Sequence, residues 1–315
     1  MDNRSTPYYF LLLKFSDSRD LQILCFLLFL TLYLTTITGN LLIIIAIAFE
    51  HRLHTPMYFF MMNLATMDLG SISVTIPKSM LNSLLNARSI SYFGCVAQVF
   101  FLTFFLGSDF ALLTAMAHDR YVAICNPLRY ETIMTKEACV QMTASVWISG
   151  LLYGVLHTSC TFAISFCSNV VDQYFCEIPH LLKLSYNDLV EVTVLAFVII
   201  VVFLCFIFII ASYVQIFTAV LQMTSVQGRQ KAFSTCIPHL IIVSLFIFSA
   251  ATAYLRPSTN SPSELDLVFA VLYAVVPPMI NPFIYSMRNK EVKTALWKLI
   301  SLKYFSNSFL LQKYP

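Results

Sequence analysis

Four charged side chains in apolar surroundings are the residues of this chain best able to do chemistry. Asp68 and Asp109 lie within long apolar stretches, and Asp119 and Arg120 stand together where the second of these stretches ends. A carboxylate removed from water pairs with a cation, binds a metal ion or takes up a proton. Since arginine stays charged, we expect Asp119 to hold the Arg120 guanidinium by charge-assisted hydrogen bonds, as a pair that can break and re-form. A static ion pair at lipid headgroups is the alternative.

Composition indicates what surrounds these charges. Of the 315 residues, 58% are apolar and only 11% are charged, whereas about 25% are charged in typical soluble domains. The net charge of +3 is small, and the aromatic residues stand in apolar runs rather than between basic residues, so no nucleic-acid partner is indicated. The chain is therefore predicted to be a polytopic membrane protein.

The long apolar stretches predict the membrane-crossing elements. Each has the roughly 20 residues that a helix needs to cross the hydrocarbon, and the ten-residue alternation of a transmembrane barrel is absent. We therefore predict an all-α membrane protein, a seven-transmembrane helix bundle in one domain. The predicted spans are residues 23–49, 57–77, 95–118, 139–160, 194–220, 233–255 and 267–287.

Basic residues predict the orientation of the bundle. With the N-terminus outside, twelve of the 19 lysines and arginines but only five acidic residues fall on the cytoplasmic side, as the positive-inside rule requires. Residues 1–22 lack the apolar core of a signal peptide and are predicted to be an extracellular N-terminus. Residues 23–287 form the bundle, and 288–315 form a cytoplasmic tail. Val292, Leu296 and Ile300 share one face of a short amphipathic eighth helix that suits the anionic inner leaflet.

Five segments carry a specific resemblance. Met116–Tyr130, Pro56–Asp68, Lys231–His239 and Pro277–Tyr285, with the shorter Ser212–Tyr213, resemble the helix signatures of olfactory receptors among the rhodopsin-like G-protein-coupled receptors. With Gly39-Asn40 in the first predicted helix, the similarities extend along the bundle as far as Glu291. The resemblance implies an odorant receptor of the plasma membrane that activates a heterotrimeric G protein, of the olfactory stimulatory type that raises cAMP. It implies neither an enzyme nor a required cofactor.

The resemblance also implies which residues switch the receptor. Pro282 has no N–H and leaves the Pro278 carbonyl unpaired, so we expect Asn281 or water to bind that carbonyl. We expect the released Arg120 to engage Tyr213 or a carbonyl of the G protein, although a plain proline kink would explain the bend as well. The implied switch residues are Asp119, Arg120, Tyr121, Tyr213, Asn281, Pro282 and Tyr285.

Asp68 matches the buried acid of the second-helix signature, and Asp109 lies eleven residues before Arg120. On this resemblance we expect the two carboxylates to bind Na⁺ in the inactive state. Polar packing bridged by water, without an ion, is the alternative.

Three cysteines fall on the outer side of the predicted topology, where disulfides persist: Cys95, Cys167 and Cys176. The resemblance implies a Cys95–Cys176 bridge that ties the long loop over the bundle. It implies a second bridge from Cys167 as well, but Tyr186 stands where the family usually has the partner cysteine, so that bridge is not predicted. Asn3 begins an Asn-x-Ser sequon on the outer side and is a candidate glycosylation site.

The resemblance places a ligand between the third, fifth, sixth and seventh helices. The residues implied there are mostly apolar, which suits a small, mostly hydrophobic ligand. They are Leu102, Thr103, Leu106, Gly107, Phe197, Val201, Ile247, Tyr254, Val271 and Ala274. Two other classes of protein are disfavoured. A transporter or channel would show two similar halves, and an intramembrane enzyme would need more than a lone His157, since neither His-Glu-x-x-His nor Gly-x-Ser-x-Gly occurs.

Overall fold

Long helices make up most of the computed structural model of this chain. It describes residues 9–13, 18–85, 87–163, 166, 168–171, 173–178, 181, 184, 188–254, 274–285 and 289–311. In chain order the helices are α1 (Arg19–Phe49), α2 (Pro56–Leu85), α3 (Tyr92–Cys125), the short α4 (Tyr130–Ile133), α5 (Lys136–Phe162), α6 (Asp188–Gln222), α7 (Val226–Tyr254), α8 (274–285) and α9 (Lys290–Leu311).

Six of the described helices have the length and hydropathy to cross a membrane. They are α1, α2, α3, α5, and the parts of α6 and α7 that span Ile199–Gln222 and Val226–Phe248. Each overlaps one predicted span, and α8 overlaps the seventh, whose first residues lie outside the described ranges. Most helices extend beyond their predicted spans, because polar residues continue a helix once it has left the hydrocarbon.

The centre of the bundle is α3, which packs against α2, α5, α6 and α7. Its contact with α5 is close because glycines face it. A Cβ at Gly150 would lie 1.8 Å from the Ser108 Oγ, and a Cβ at Gly154 would lie 3.2 Å from the Phe100 carbonyl oxygen. Small residues four apart let two membrane helices bring their backbones together in this way.

We expect Gly150→Ala to destabilise the protein by about 1–3 kcal/mol, the usual cost of overpacking. The added methyl group would overlap the Ser108 side chain and lie 3.0 Å from the Phe104 carbonyl oxygen. The melting temperature of the purified protein in detergent checks this. The matched control is Gly228→Ala, where the nearest atom would be 3.6 Å away. Equal melting temperatures for the two variants would contradict the close α3–α5 packing.

A small sheet, which the all-α prediction did not include, lies at one end of the bundle. It has three strands, β1 (Tyr9–Leu12), β2 (Ser89–Ser91) and β3 (Val170–Val171). The order is β2-β1-β3, with β1 antiparallel to β2 and parallel to β3. Tyr9–Leu12 are therefore the central strand of a sheet, whereas the sequence predicted only an extracellular N-terminus there.

The same end carries the disulfide that joins Cys95, at the start of α3, to Cys176 in the loop after β3. We call it the disulfide end. Cys167 and Tyr186, which bear on a second bridge, lie outside the described residues, as does Asn3. The opposite end, where α3 finishes with Asp119 and Arg120, is called the switch end.

The helix α9 is anchored at the switch end. Asn289 caps it by accepting the backbone N–H groups of Glu291 and Val292. The Tyr58 hydroxyl of α2 lies 2.6 Å from Glu291 Oε2 and 3.0 Å from Asn289 Oδ1. Lys298 forms a 2.6 Å ion pair with Glu50, and its hydrogen bond, followed by its charge, lowers the pKa of that carboxyl. The buried face of α9, which includes Val292, packs on the bundle, so the helix docks on protein as well as facing its surroundings.

Candidate functional site

The two predicted intramembrane carboxylates come together in the middle of the bundle. Asp68 on α2 and Asp109 on α3 are both buried, and Asn281 on α8 donates from its Nδ2 to both oxygens of Asp68, at 2.9 and 3.2 Å. Within the described part of the chain, Asp109 Oδ1 and Asn281 Oδ1 have no hydrogen-bond partner. Buried oxygens without partners are costly, so this arrangement calls for a further donor or a cation.

A cavity of about 10 Å³ lies between these oxygens. Asp68, Asp109 and Asn281 line it together with apolar residues of α2, α3, α7 and α8. That volume accommodates about one water-sized occupant. Carboxylate and amide oxygens are the ligands that hard cations prefer. The site has only two carboxylates, and the described residues contain no group of three or more His, Cys, Asp or Glu side chains that could hold a metal ion. The donor set therefore fits a small alkali cation or one water molecule.

At the switch end, Asp119 and Arg120 do not form the predicted pair. The Tyr130 hydroxyl of α4 donates to Asp119 Oδ1 at 2.8 Å. Among the described residues, no hydrogen bond or ion pair joins Asp119 to Arg120, because adjacent side chains of a helix do not face each other. Burial, together with the negative charge of Asp119, raises the pKa of Tyr130, so its hydroxyl stays protonated and keeps donating. Asp119 is thus held by the loop after α3.

Arg120 points instead into the bundle. It is buried, its Nε has no hydrogen-bond partner in the described structure, and its charge acts on Tyr213, His239 and Tyr285. An arginine has five N–H donors in a fixed fork, so an unpaired Nε leaves part of that capacity unused. The guanidinium is therefore already buried near Tyr213 and Tyr285, which the resemblance assigns to the switch, and it does not have to be released to reach them.

Next to Arg120, one histidine ties three helices together. His239 on α7 is fully buried, with Nε2 2.9 Å from the Leu113 carbonyl oxygen of α3 and Nδ1 2.9 Å from the Tyr213 hydroxyl of α6. Since a carbonyl only accepts, Nε2 must carry the proton, and Nδ1 must accept from the tyrosine. His239 therefore fixes α7 against α3 and α6, in a tautomer that both contacts require.

The proline of α8 is satisfied differently from the prediction. The Pro278 carbonyl, which Pro282 leaves without an N–H partner, accepts from Asn40 Nδ2 of α1 at 3.0 Å, and Asn281 binds Asp68 instead. Gly39 makes the approach possible, because a Cβ there would lie 3.2 Å from the Pro282 Cβ. α1 therefore braces α8 at the residue where its own hydrogen bonding is interrupted.

The predicted ligand residues fall into separate environments. Leu102 and Ala274 are buried in one hydrophobic cluster near the disulfide end, with Leu106 packed against it, and the same cluster holds the loop residues Tyr174 and Phe175. Leu106 also lines the small cavity beside Asp68. These residues connect an apolar region near the disulfide end with the polar centre of the bundle.

Four other predicted ligand residues lie elsewhere. Gly107 faces α5, because a Cβ there would lie 2.8 Å from Tyr153 Cδ1. The Thr103 hydroxyl donates to the Val99 and Phe100 carbonyls of its own helix, so it is not free to donate to a ligand. Phe197 and Val201 on α6 are 49% and 37% exposed. Counting along the sequence placed each residue on the right helix. The direction in which a side chain points turns by about 100° per residue, however, so an error of one position changes which helix the side chain contacts.

The remaining predicted residues are placed as follows. Ile247 is half-buried and packs against the main core, the buried cluster that includes Leu113, Met116 and Ile216. Tyr121 is half-buried, with its ring 6.3 Å from that of His118. Tyr285 is buried in the main core. Tyr254 is the last residue of α7, its side chain is not described, and Val271 lies outside the described ranges.

The sequence did not predict the hydrogen bonds made by three residues at this site. Asn40, Tyr130 and His239 lay at the ends of the recognised motifs, but nothing in their spacing named their partners. A usable signal existed for His239 only, as a titratable residue within an apolar stretch, which by default marks a functional site. Asn40 donates to the Pro278 carbonyl, 238 residues away, and Tyr130 donates to the Asp119 carboxylate, 11 residues away. The sequence predicted other partners for both acceptors.

Comparison with known proteins agrees with this geometry. The olfactory receptor family model matches residues 29–303. Olfactory receptor 14C36 of Homo sapiens is 47% identical over 311 residues, which cover 98% of this chain and 100% of that protein. Olfactory receptor 14I1 of Homo sapiens is 48% identical, over 97% of this chain and 99% of that protein. With its helices, its disulfide and its buried charges arranged as described above, the chain belongs to the olfactory receptor family.

Proposed function

We propose that the chain is an odorant receptor of the plasma membrane, which binds a small, mostly hydrophobic ligand and activates a heterotrimeric G protein. The observation that carries this proposal is the tie of α3, α6 and α7 through His239, which lies beside the buried Arg120. A hydrogen-bonded contact between three helices can be broken and re-formed as a unit, which a ligand can bias from a distance. Family membership supports the same mechanism.

The ligand region is the cluster that contains Leu102, Ala274, Tyr174 and Phe175 near the disulfide end. Its apolar lining selects a ligand by shape and buried area, with few directed hydrogen bonds. A ligand lodged there can press on Leu106, which contacts both this cluster and the small cavity next to Asp68. Phe246 and Ile242 of α7 line that cavity as well, so displacement would reach α7 a short distance from His239.

We propose that the disulfide end is extracellular and the switch end cytoplasmic. The Cys95–Cys176 bridge suits an oxidising compartment, and the basic excess lies toward the other end. The G protein would then meet the switch end. There, the turn between α3 and α4 is open to a partner, since Leu128 on it is 99% exposed. An olfactory stimulatory G protein is the subtype that the family suggests.

We further propose that the cavity between Asp68, Asp109 and Asn281 binds Na⁺ in the inactive state. The two carboxylates repel each other unless a cation or a proton lies between them, and the unpaired Asp109 Oδ1 and Asn281 Oδ1 supply two of the oxygens that a cation needs. An ion bound there joins α2, α3 and α8, and therefore opposes any rearrangement of these helices.

If sodium binds here, replacing external Na⁺ with N-methylglucamine should raise basal cAMP in cells that express the wild-type receptor and should leave Asp68→Asn unchanged. The asparagine is nearly isosteric but removes one of the two negative charges that hold the ion. A shift of about fivefold or more in the wild type corresponds to a coupling free energy within the usual range of about 1–3 kcal/mol. Ser73→Ala, on the exposed side of α2, serves as the control and should behave like the wild type. The same sodium dependence in wild type and Asp68→Asn would show that the site holds water only.

The experiment for the proposed function is cell-surface expression with a cAMP readout. The probe is a panel of medium-chain alcohols, aldehydes, ketones and esters, tested with and without a co-expressed stimulatory Gα subunit. We expect at least one compound to raise cAMP only when receptor and Gα are both present. An odorant-gated ion current that persists without any G protein would overturn the proposal in favour of a channel.

A further inference from the structure

The strand β1 is a built part of the disulfide end. Its side chains alternate as in a half-buried strand, with Phe10 and Leu12 fully buried and Tyr9 50% exposed. Phe10 packs edge-on against Phe166 at 5.5 Å and stacks on Tyr92 at 6.2 Å. Both Phe10 and Leu12 share a hydrophobic cluster with the disulfide cysteines. A segment held in this way does not behave as a loose terminus.

Polar contacts hold the strand on both sides. On one side, the Arg88 Nε donates to the Leu12 carbonyl at 3.0 Å, and the Leu12 N–H donates to the Arg88 carbonyl at 2.9 Å. From α2, Asn82 Nδ2 donates to the Leu13 carbonyl at 3.1 Å. On the other side, the Leu11 N–H donates to the Asn169 carbonyl at 2.7 Å. The strand therefore bridges the loop after α2 and the loop after α5, and it lies across the bundle between them.

The last bond of the strand reaches the roof of the proposed ligand region. The Leu13 N–H donates to the Gln173 carbonyl at 2.8 Å. The next two loop residues, Tyr174 and Phe175, are buried in the cluster that contains Leu102, and Leu13 packs against the same cluster. The loop is then fixed by the disulfide at Cys176, where Gln98 also accepts the Cys176 N–H at 2.8 Å. Tyr174 and Phe175 are thus held by the disulfide on their C-terminal side and by the hydrogen bond to the strand on their N-terminal side.

The two anchors differ in kind. The disulfide opens only on reduction, whereas the strand is held by hydrogen bonds and side-chain burial alone, so it can open without a chemical reaction. We propose that residues 9–13 are a latch. When closed, the latch keeps Tyr174 and Phe175 packed over the ligand region, and its local opening lets molecules dissolved in water reach Leu102. That the molecule admitted is an odorant, and that the disulfide end faces the outside of the cell, rest on the proposed function; the contacts that hold the strand do not.

A labelling experiment tests the latch without any odorant or G protein. Leu102→Cys is introduced into the full-length receptor, and a charged, membrane-impermeant methanethiosulfonate reagent is applied to intact cells. Labelling of the receptor without the added cysteine is subtracted, and Phe93→Cys, at an 81% exposed position of the same helix, gives the rate for open access. Because the reagent must reach the thiol through water, the rate measures how often the latch opens.

We expect Leu102→Cys to react far more slowly than Phe93→Cys. Adding Phe10→Ala should raise the Leu102→Cys rate about tenfold or more, because loss of a fully buried ring favours the open state. The matched control is Tyr9→Ala, which removes an aromatic ring from the exposed face of the same strand and should leave the rate unchanged. Asn82→Leu gives a second test with the strand sequence intact, since it removes only the donor to the Leu13 carbonyl, and it should also raise the rate.

Equal labelling rates with and without Phe10→Ala and Asn82→Leu would overturn the latch. So would a Leu102→Cys rate as fast as that of Phe93→Cys in the otherwise unchanged receptor. The two proposals fail separately. If the rates change as expected but no odorant raises cAMP, the latch stands and the proposed function does not. If odorants raise cAMP but the rates do not change, only the latch is wrong.

Discussion

Arg120→Ala is expected to abolish odorant-stimulated cAMP production while leaving the receptor at the cell surface. The guanidinium is buried among Tyr213, His239 and Tyr285, and its Nε has no hydrogen-bond partner in the described structure. When α7 moves away, this permanently charged guanidinium is positioned to bind a carbonyl of the G protein or the Tyr213 hydroxyl. Charge-assisted hydrogen bonds are worth about 1.5–3 kcal/mol each, so losing two or more lowers the response by about a hundredfold or more.

Surface expression and cAMP, measured in the same cells, test this. Arg129→Ala is the matched control, because Arg129 is a basic residue on the exposed turn that follows α3. It should keep most of the response, since an exposed charge contributes little. A full odorant response from Arg120→Ala at equal surface expression would show that the output of the receptor does not pass through this guanidinium.

His239→Leu is expected to raise basal cAMP about tenfold. Leucine fills a similar space but removes both bonds of the three-helix tie and leaves the Tyr213 hydroxyl buried without its partner. An unsatisfied buried polar group costs about 1–3 kcal/mol. Since that cost falls on the closed arrangement of α3, α6 and α7 only, it shifts the population toward the open one by about tenfold for each 1.4 kcal/mol.

Basal cAMP per surface receptor checks this prediction, and His157→Leu is its control. His157 is also a buried histidine, with its ring centroid 4.3 Å from that of Tyr153 and the two rings tilted by 50°. Within the described structure its Nε2 has no hydrogen-bond partner and links no second helix. Tyr213→Phe should raise basal cAMP as well, and the double variant Tyr213→Phe with His239→Leu should add little, because both substitutions break one contact. Fully additive effects would mean that the two residues act independently.

The sequence predicted the helices well because lipid imposes a simple rule. A helix that crosses the hydrocarbon must be apolar over roughly 20 residues, so the spans of α1, α2, α3, α5, α6 and α7 were visible as uninterrupted apolar runs. The strand β1 was not visible, because five residues of apolar sequence give no alternation and its partners lie about 80 and 160 positions away. Short strands depend on their neighbours for stability, and no local pattern names a distant neighbour.

The candidate site was predicted in its residues but not in its contacts. Asp68, Asp109 and Arg120 were found as charges in apolar surroundings, and the structure buries all three. The partners were wrong for Asp119, which binds Tyr130, and for the Pro278 carbonyl, which binds Asn40. In each case the expected partner was a sequence neighbour and the observed partner came from another element. Sequence proximity is a poor guide in a bundle whose helices satisfy one another's polar groups side by side.

The rate of nucleotide exchange on the G protein shows directly whether odorant binding activates it through Arg120 and His239. Membranes that contain the receptor and a purified heterotrimeric G protein would be given a non-hydrolysable GTP analogue, with and without the compound from the odorant panel that raises cAMP in cells. We expect saturable, odorant-dependent acceleration of analogue binding in the wild type, none in Arg120→Ala, and raised odorant-independent binding in His239→Leu. An odorant that binds the receptor but leaves the exchange rate unchanged in all three would contradict this expectation.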